Sequence, residues 1–227
     1  MSILVPGNSS ERHCTRRDFC RAGAAGLVLA SSLPGLADDD KPKMLVKEDF
    51  PKGWKHFSAE EDLPLEKIWS VEDDSESGEK FLKCAGSPFG YIRTEAEFDN
   101  YEFGLKWRYV DDPNSNSGIL LHTSPEEDRI WPKSIQIQLH RPKVGSVFPS
   151  GEAKADNRLE VRDLELPLKK WNTCVVACVD GRVSLTINDR KLGEVTGCVP
   201  NKGAIALQSE GAEIHFQNLW VRPLKST

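Results

Sequence analysis

Gln136, Gln138 and His140 stand at alternate positions of one apolar and polar run, and His122 holds the same kind of position in another. Alternation along a strand puts such residues on one face, opposite Ile135, Ile137 and Leu139 in the first run and opposite Ile119 and Leu121 in the second. Amides at this spacing exchange hydrogen bonds with a ligand rich in hydroxyls, and a histidine, which titrates near neutrality, can carry a proton. Any half-buried strand also carries an outward polar face, so the row defines a candidate face and not yet a reaction. The chain has no HExxH, no Walker loop, no GxGxxG behind a strand and no GxSxG elbow, and the enzyme classes built on those motifs fall away.

The elements that must position this face read as strands. In Tyr101 to Tyr109 the residues Tyr101, Phe103, Leu105, Trp107 and Tyr109 share one face, which must be core. A turn at Asp111 to Asn116 leads to a short strand, Gly118 to Thr123, and a further strand follows at Ser134 to His140. The C-terminal third reads as a meander of Trp171 to Asp180, Arg182 to Ile187 and Lys191 to Cys198, joined by Asp180-Gly181 and Asn188-Asp189 turns. Ala204 to Ser209 and Glu213 to Arg222 close it. No stretch sustains a helical period, and the pattern predicts an all-β, antiparallel sandwich. His140 to Asn157, rich in Pro, Gly, Ser and Lys, reads as a long loop, either a lid over the binding face or a mobile surface segment.

Residues 1–37 read as an address. Thr15-Arg16-Arg17-Asp18-Phe19 is a twin-arginine core, a mildly apolar run extends from Ala22 to Leu33, and Gly35-Leu36-Ala37 offers a cleavage site after Ala37. That run is too short and too broken by glycine and serine to anchor a membrane. Export to the periplasm or cell surface of a bacterium is expected, with a short leader at 38–43 and one domain at 44–225. The formal charge of −5 becomes −7 once the four Arg and two acidic residues of the first 37 are set aside, which disfavours nucleic acid and anionic lipid as partners and leaves neutral sugars open. Cys84, Cys174, Cys178 and Cys198 remain. Cys174 and Cys178 share a strand face about 13 Å apart and cannot bridge each other. Buried free thiols are the ordinary expectation; a disulfide would have to involve Cys84 or Cys198. No spacing suits zinc, so no metal site is expected.

Six segments carry a family resemblance: Gly90-Tyr91-Ile92-Arg93-Thr94-Glu95, Tyr101-Glu102 through Trp107-Arg108, Asn116-Ser117-Gly118-Ile119-Leu120-Leu121-His122, Trp131-Pro132-Lys133-Ser134-Ile135-Gln136-Ile137-Gln138-Leu139, Trp171-Asn172, and Gly203 through Gln208-Ser209-Glu210-Gly211. In order and spacing the chain resembles the 3-keto-disaccharide hydrolase domain family over nearly all of its length beyond the leader. The resemblance implies a jelly-roll sandwich of the concanavalin A-like kind, with the site on its concave face, and cleavage of glycosides already oxidised to a ketone at carbon 3. It implies no organic cofactor. The ketone acidifies the proton on carbon 2; a base removes it, an enolate forms, the glycosidic oxygen leaves, and water adds back.

Mapped onto this chain, the resemblance implies His122 as proton carrier, Arg93 as the group that stabilises the enolate, and Gln136 as the third catalytic position, with Asn116, Gln138, His140, Gln208 and Glu210 binding substrate. Gln136 departs from the family pattern, which carries a glutamate there, and an amide transfers no proton at useful pH. Either Glu160, Glu210 or His140 supplies the missing acid or base, or the chain only binds sugar as a non-catalytic module of the same fold. A third alternative is an adhesion domain whose face meets another protein.

Overall fold

The computed structural model describes residues 41–124 and 129–226, with no α-helix among them. The twin-arginine segment and its cleavage position, and residues 38–40 of the leader, lie outside the described residues. Two antiparallel sheets form a jelly-roll sandwich. The first has eight strands. Its main path runs β12 (Arg190–Val195), β11 (Arg182–Ile187), β10 (Asn172–Val179), β6 (Tyr101–Tyr109), β14 (Ile214–Pro223), β4 (Lys80–Cys84) and β3 (Trp69–Asp73), and the short β1 (Lys43–Met44) pairs with β14. The second has six: β2 (Trp54–Ser58), β5 (Gly90–Thr94), β13 (Ala204–Ser209), β7 (Gly118–Thr123), β8 (Ser134–Gln138) and β9 (Val147–Ser150).

The core lies between the sheets because each strand alternates. Tyr101, Phe103, Leu105, Trp107 and Tyr109 of β6 are all buried, as the sequence predicts, beside Cys174, Val176 and Cys178 of β10. From the second sheet come Ile92, Ile119, Leu121, Ile135, Ile137, Ile205 and Leu207. One buried hydrogen bond ties the layers: the Tyr109 hydroxyl donates to the Leu139 carbonyl at 2.7 Å. The four cysteines are free thiols buried in this core, and burial pushes Cys84, Cys174 and Cys178 up to about 12. Asp180-Gly181 and Asn188-Asp189 hold positive φ at both residues, as the tight hairpin turns read from sequence require.

The segment expected as a loop over His140 to Asn157 is largely structured. It opens with a 3-10 turn at Arg141–Lys143 and then contributes β9, which pairs with β8 from Ser134↔Ser150 to Ile137↔Val147. An edge strand of four residues containing Pro149 shows little period-two signal, since proline cannot complete the ladder. Beyond β9 the chain folds back on it, with Val147 and Leu159 exchanging backbone hydrogen bonds at 2.8 and 2.9 Å.

Candidate functional site

The outward face of the six-stranded sheet collects most of the polar residues singled out above. Register sets Lys55, Arg93, Ala206, Leu120, Gln136 and Phe148 in one line across β2, β5, β13, β7, β8 and β9. A second line holds Phe57, Tyr91 and Gln208, then Gly118 and Gln138. A third lies just past the strand ends. Leu139 N–H donates to the Ser117 carbonyl at 2.9 Å and Arg141 N–H to the Ser115 carbonyl at 3.1 Å, which places Asn116 opposite His140. Glu210 follows β13, which ends at Ser209, and leads into Gly211, where a Cβ would lie 3.9 Å from Asn116 Cβ.

This face is recessed, since Arg93, Gln208, Gln136, Tyr91 and Leu120 are all below 5 % exposed although they point away from the core. Its floor is a small apolar cluster of Tyr91, Leu120 and Ala206, and the Phe57 ring stacks on Tyr91 at 5.2 Å. Gln136 Nε2 donates to Gln208 Oε1 at 3.2 Å. The bond crosses β7 over Gly118, where a Cβ would collide with Gln208 Oε1 and stand 3.1 Å from Gln136 Nε2. Glycine is required there for close approach, not for its backbone angle. The pair leaves Gln136 Oε1 as acceptor and Gln208 Nε2 as donor. Gln138 Oε1 accepts the His140 N–H at 3.1 Å. Glu210 is half-buried, and burial pushes its carboxyl upward in pKa. Asn116 Oδ1 is buried with no hydrogen-bond partner among the described residues.

His122 is not where the alternation puts it. Ala204 pairs with Thr123 while Ala206 pairs with Leu120, so β7 carries a bulge. His122 takes a φ of 59° within it, and its ring turns edge-on to Tyr101 of the core at 5.6 Å. The side chain is 1 % exposed, its Nδ1 lies 3.1 Å from the Pro200 carbonyl, and burial lowers its pKa to about 4. The expected juxtaposition of His122 with Gln136 is therefore corrected: a bulge reverses the side on which a residue emerges. Arg93, Gln136, Gln138, Gln208, Asn116 and His140 share the recessed face, with Glu210 just past the end of β13; His122 does not. Sequence reasoning also passed over Phe57, Tyr91 and Phe148, although the alternation of Gly90-Tyr91-Ile92-Arg93 would have set Tyr91 beside Arg93.

Beyond β8 the face opens into a cavity of about 680 Å3, in which Gln138 and Phe148 meet Lys143, Arg158 and Glu160. Among the described residues no three His, Cys, Asp or Glu side chains gather as a metal-ligand set.

The two antiparallel sheets form a jelly roll of the concanavalin A-like fold, and comparison with solved structures bears this out. The fold matches a Parabacteroides distasonis protein provisionally described as a glycosyl hydrolase, with a TM-score of 0.58 at 19% identity over 81% of this chain and 100% of that one. It matches carbohydrate binding module CBM66 from Bacillus subtilis (0.54, 12%, covering 75% and 95%) and Bacillus licheniformis β-glucanase (0.53, 12%, covering 78% and 95%). At these identities the likeness is one of fold. Residues 46–222 match the family model of the 3-keto-alpha-glucoside-1,2-lyase-like domain, and the chain belongs to that family. No curated protein resembles the sequence closely enough to count as a relative.

Proposed function

We propose that the recessed face binds a 3-keto-glycoside and cleaves it by elimination and rehydration. The observation that carries this reading is a half-buried carboxyl of raised pKa, Glu210, just past the end of the strand β13 that contributes Gln208 to the face holding the buried Arg93 and the Gln136–Gln208 amide pair. Tyr91, Leu120 and Ala206 offer an apolar floor to the C–H side of a sugar ring, and the amides take its hydroxyls. Glu210 stands four residues beyond Ala206, the neighbour of Arg93, and just past the end of β13. A glutamate and an arginine side chain together close that span around one hexose.

Glu210 takes the proton from carbon 2 and the Arg93 guanidinium stabilises the enolate that forms on the former ketone oxygen. The carbon 1–oxygen bond then breaks, its electron pair stays on the departing oxygen, and His140, opposite Asn116, protonates that oxygen. Water adds across the new double bond, hydroxyl to carbon 1 and proton to carbon 2. In this reading Gln136 binds and orients, and the proton work first assigned to His122 passes to Glu210 and His140.

The test is turnover of 3-keto-trehalose beside unoxidised trehalose in heavy water. Cleavage of the ketone alone, with deuterium at carbon 2 of the released keto-sugar, is expected; equal cleavage of both sugars, or carbon 2 left unlabelled, refutes the mechanism. The amide at Gln136 and the Phe57–Tyr91 stack favour a second reading, a carbohydrate-binding module, whose mark would be calorimetric sugar binding with no turnover of either disaccharide. The reading includes export through the twin-arginine pathway, supported by Arg16 and Arg17 ahead of the apolar run. Replacing both with lysine should hold the protein in the cytoplasm; unchanged export would exclude that route.

A further inference from the structure

The cavity beyond β8 is continuous with the recessed face, because Gln138 belongs to both and Phe148, on its wall, stands opposite Gln136 in the register. His140, opposite Asn116, lies in the chain between Gln138 and Pro142, both of which line this cavity, so a glycoside whose sugar ring occupies the face sends its departing half into it. The far wall is held in place. Leu159 is bonded to Val147 in both directions, and Val161 N–H donates to Ser146 Oγ at 3.0 Å. A wall fixed in this way costs little to order when a ligand enters.

The chemistry of the lining is specific. Phe148, Leu159 and Val161 supply apolar surface. Lys143, Arg158 and Arg162 face Glu160 and Asp163, one more cation than anion, in a chain whose formal charge is −5. Arg162 is held by Glu160 at 3.0 Å, whereas Lys143 and Arg158 form no ion pair among the described residues. Two cations in an otherwise acidic protein, beside an aromatic ring and at the exit of the face, match a group that is both flat and negatively charged.

We propose that this cavity is the leaving-group subsite and selects an aglycone that carries a carboxylate on a flat apolar body. The proposal rests on the reading of the face as one that binds 3-keto-glycosides. Its test compares 4-carboxyphenyl and 4-carbamoylphenyl 3-keto-glucosides, which differ in charge at nearly the same shape, on the parent and on Lys143→Met with Arg158→Gln. The preference is read as a ratio of kcat/KM values if the protein turns the glycosides over, and as a ratio of Kd values if it does not. Taking the ratio between parent and variant cancels the intrinsic difference between the two leaving groups. The parent should favour the carboxylate about tenfold more strongly than the variant does, as two partly exposed ion pairs supply. Both substituted residues are exposed, and an unchanged circular dichroism spectrum establishes that the variant folds. Equal ratios in parent and variant overturn the subsite whether or not turnover is seen. A lost preference without turnover keeps the subsite and refutes the lyase reading; turnover without preference does the reverse.

Discussion

Burial alone raises the Glu210 pKa, and a carboxylate that is costly to keep ionised is a stronger base than an exposed one. Glu210→Gln keeps the shape and removes the proton acceptor. Turnover of a 3-keto-glucoside should fall by roughly 100 to 10,000-fold with KM little changed, since general-base catalysis is typically of that size; a loss confined to KM would make Glu210 a binding residue. His122 is buried, and its lowered pKa couples its protonation to folding. Its folded pKa of about 4 lies below the 6.5 of the unfolded chain, so the unfolded state takes the proton first as pH falls. Its contribution is complete above pH 6.5 and is lost progressively towards pH 4, an expected cost of about 3 kcal/mol. Denaturant unfolding at pH 7 and pH 4 measures it, and His122→Gln should remove that part of the slope. His215, with Nδ1 accepting from Arg108 Nε at 3.0 Å, is shifted down as well and leaves a residual slope of the same sign.

At the scale of elements, β7 does two jobs at once. Its Gly118 lets the Gln136–Gln208 amide pair cross the strand, and its bulge carries His122 away from the face. Gly118→Ala should therefore weaken sugar binding several-fold, by pushing Gln208 off Gln136, while strand content stays unchanged. Calorimetry beside circular dichroism checks this, and parental affinity in the alanine variant would show that the amide pair does not touch the sugar. The sandwich itself was readable because β6 and β11 alternate cleanly between an apolar and a polar face and tight turns bound the C-terminal hairpins. Strands β3 and β4 were harder to read: Phe81 and Leu82 are consecutive and both buried, Leu82 in the core and Phe81 outside it, stacked on His215 at 4.2 Å and beneath Arg108. Of the candidate site, the residues on regular strands were legible. His122 was misplaced because a bulge adds a residue that no period-two pattern announces, and the cavity was invisible because its walls come from Lys143, Phe148 and Arg158, which meet only when the chain after β9 turns back.

For the whole molecule, the two sheets hold the site together through the core. Trp107 is fully buried at the centre of β6, paired in register with Asn172 on one side and Phe216 on the other, and its ring meets Tyr109 edge-on at 6.4 Å. Tyr109 in turn reaches across to the Leu139 carbonyl, one residue before His140, so the packing of the eight-stranded sheet bears on the position of a group assigned to the reaction on the other. Trp107→Ala removes the largest side chain of that contact and leaves a void its rigid neighbours cannot fill. A cost on the order of 3 to 5 kcal/mol is expected from denaturant unfolding. A shift below about 1 kcal/mol would mean that the site tolerates collapse and that the Trp107–Tyr109 contact does not organise the core. Because the link runs through Tyr109, the same variant should raise KM for a 3-keto-glucoside even under conditions where it is fully folded, whereas a substitution of equal cost in β11, Leu185→Ala, should leave KM unchanged. Equal effects of the two on KM would show that loss of stability, and not displacement of His140, is what the active face registers.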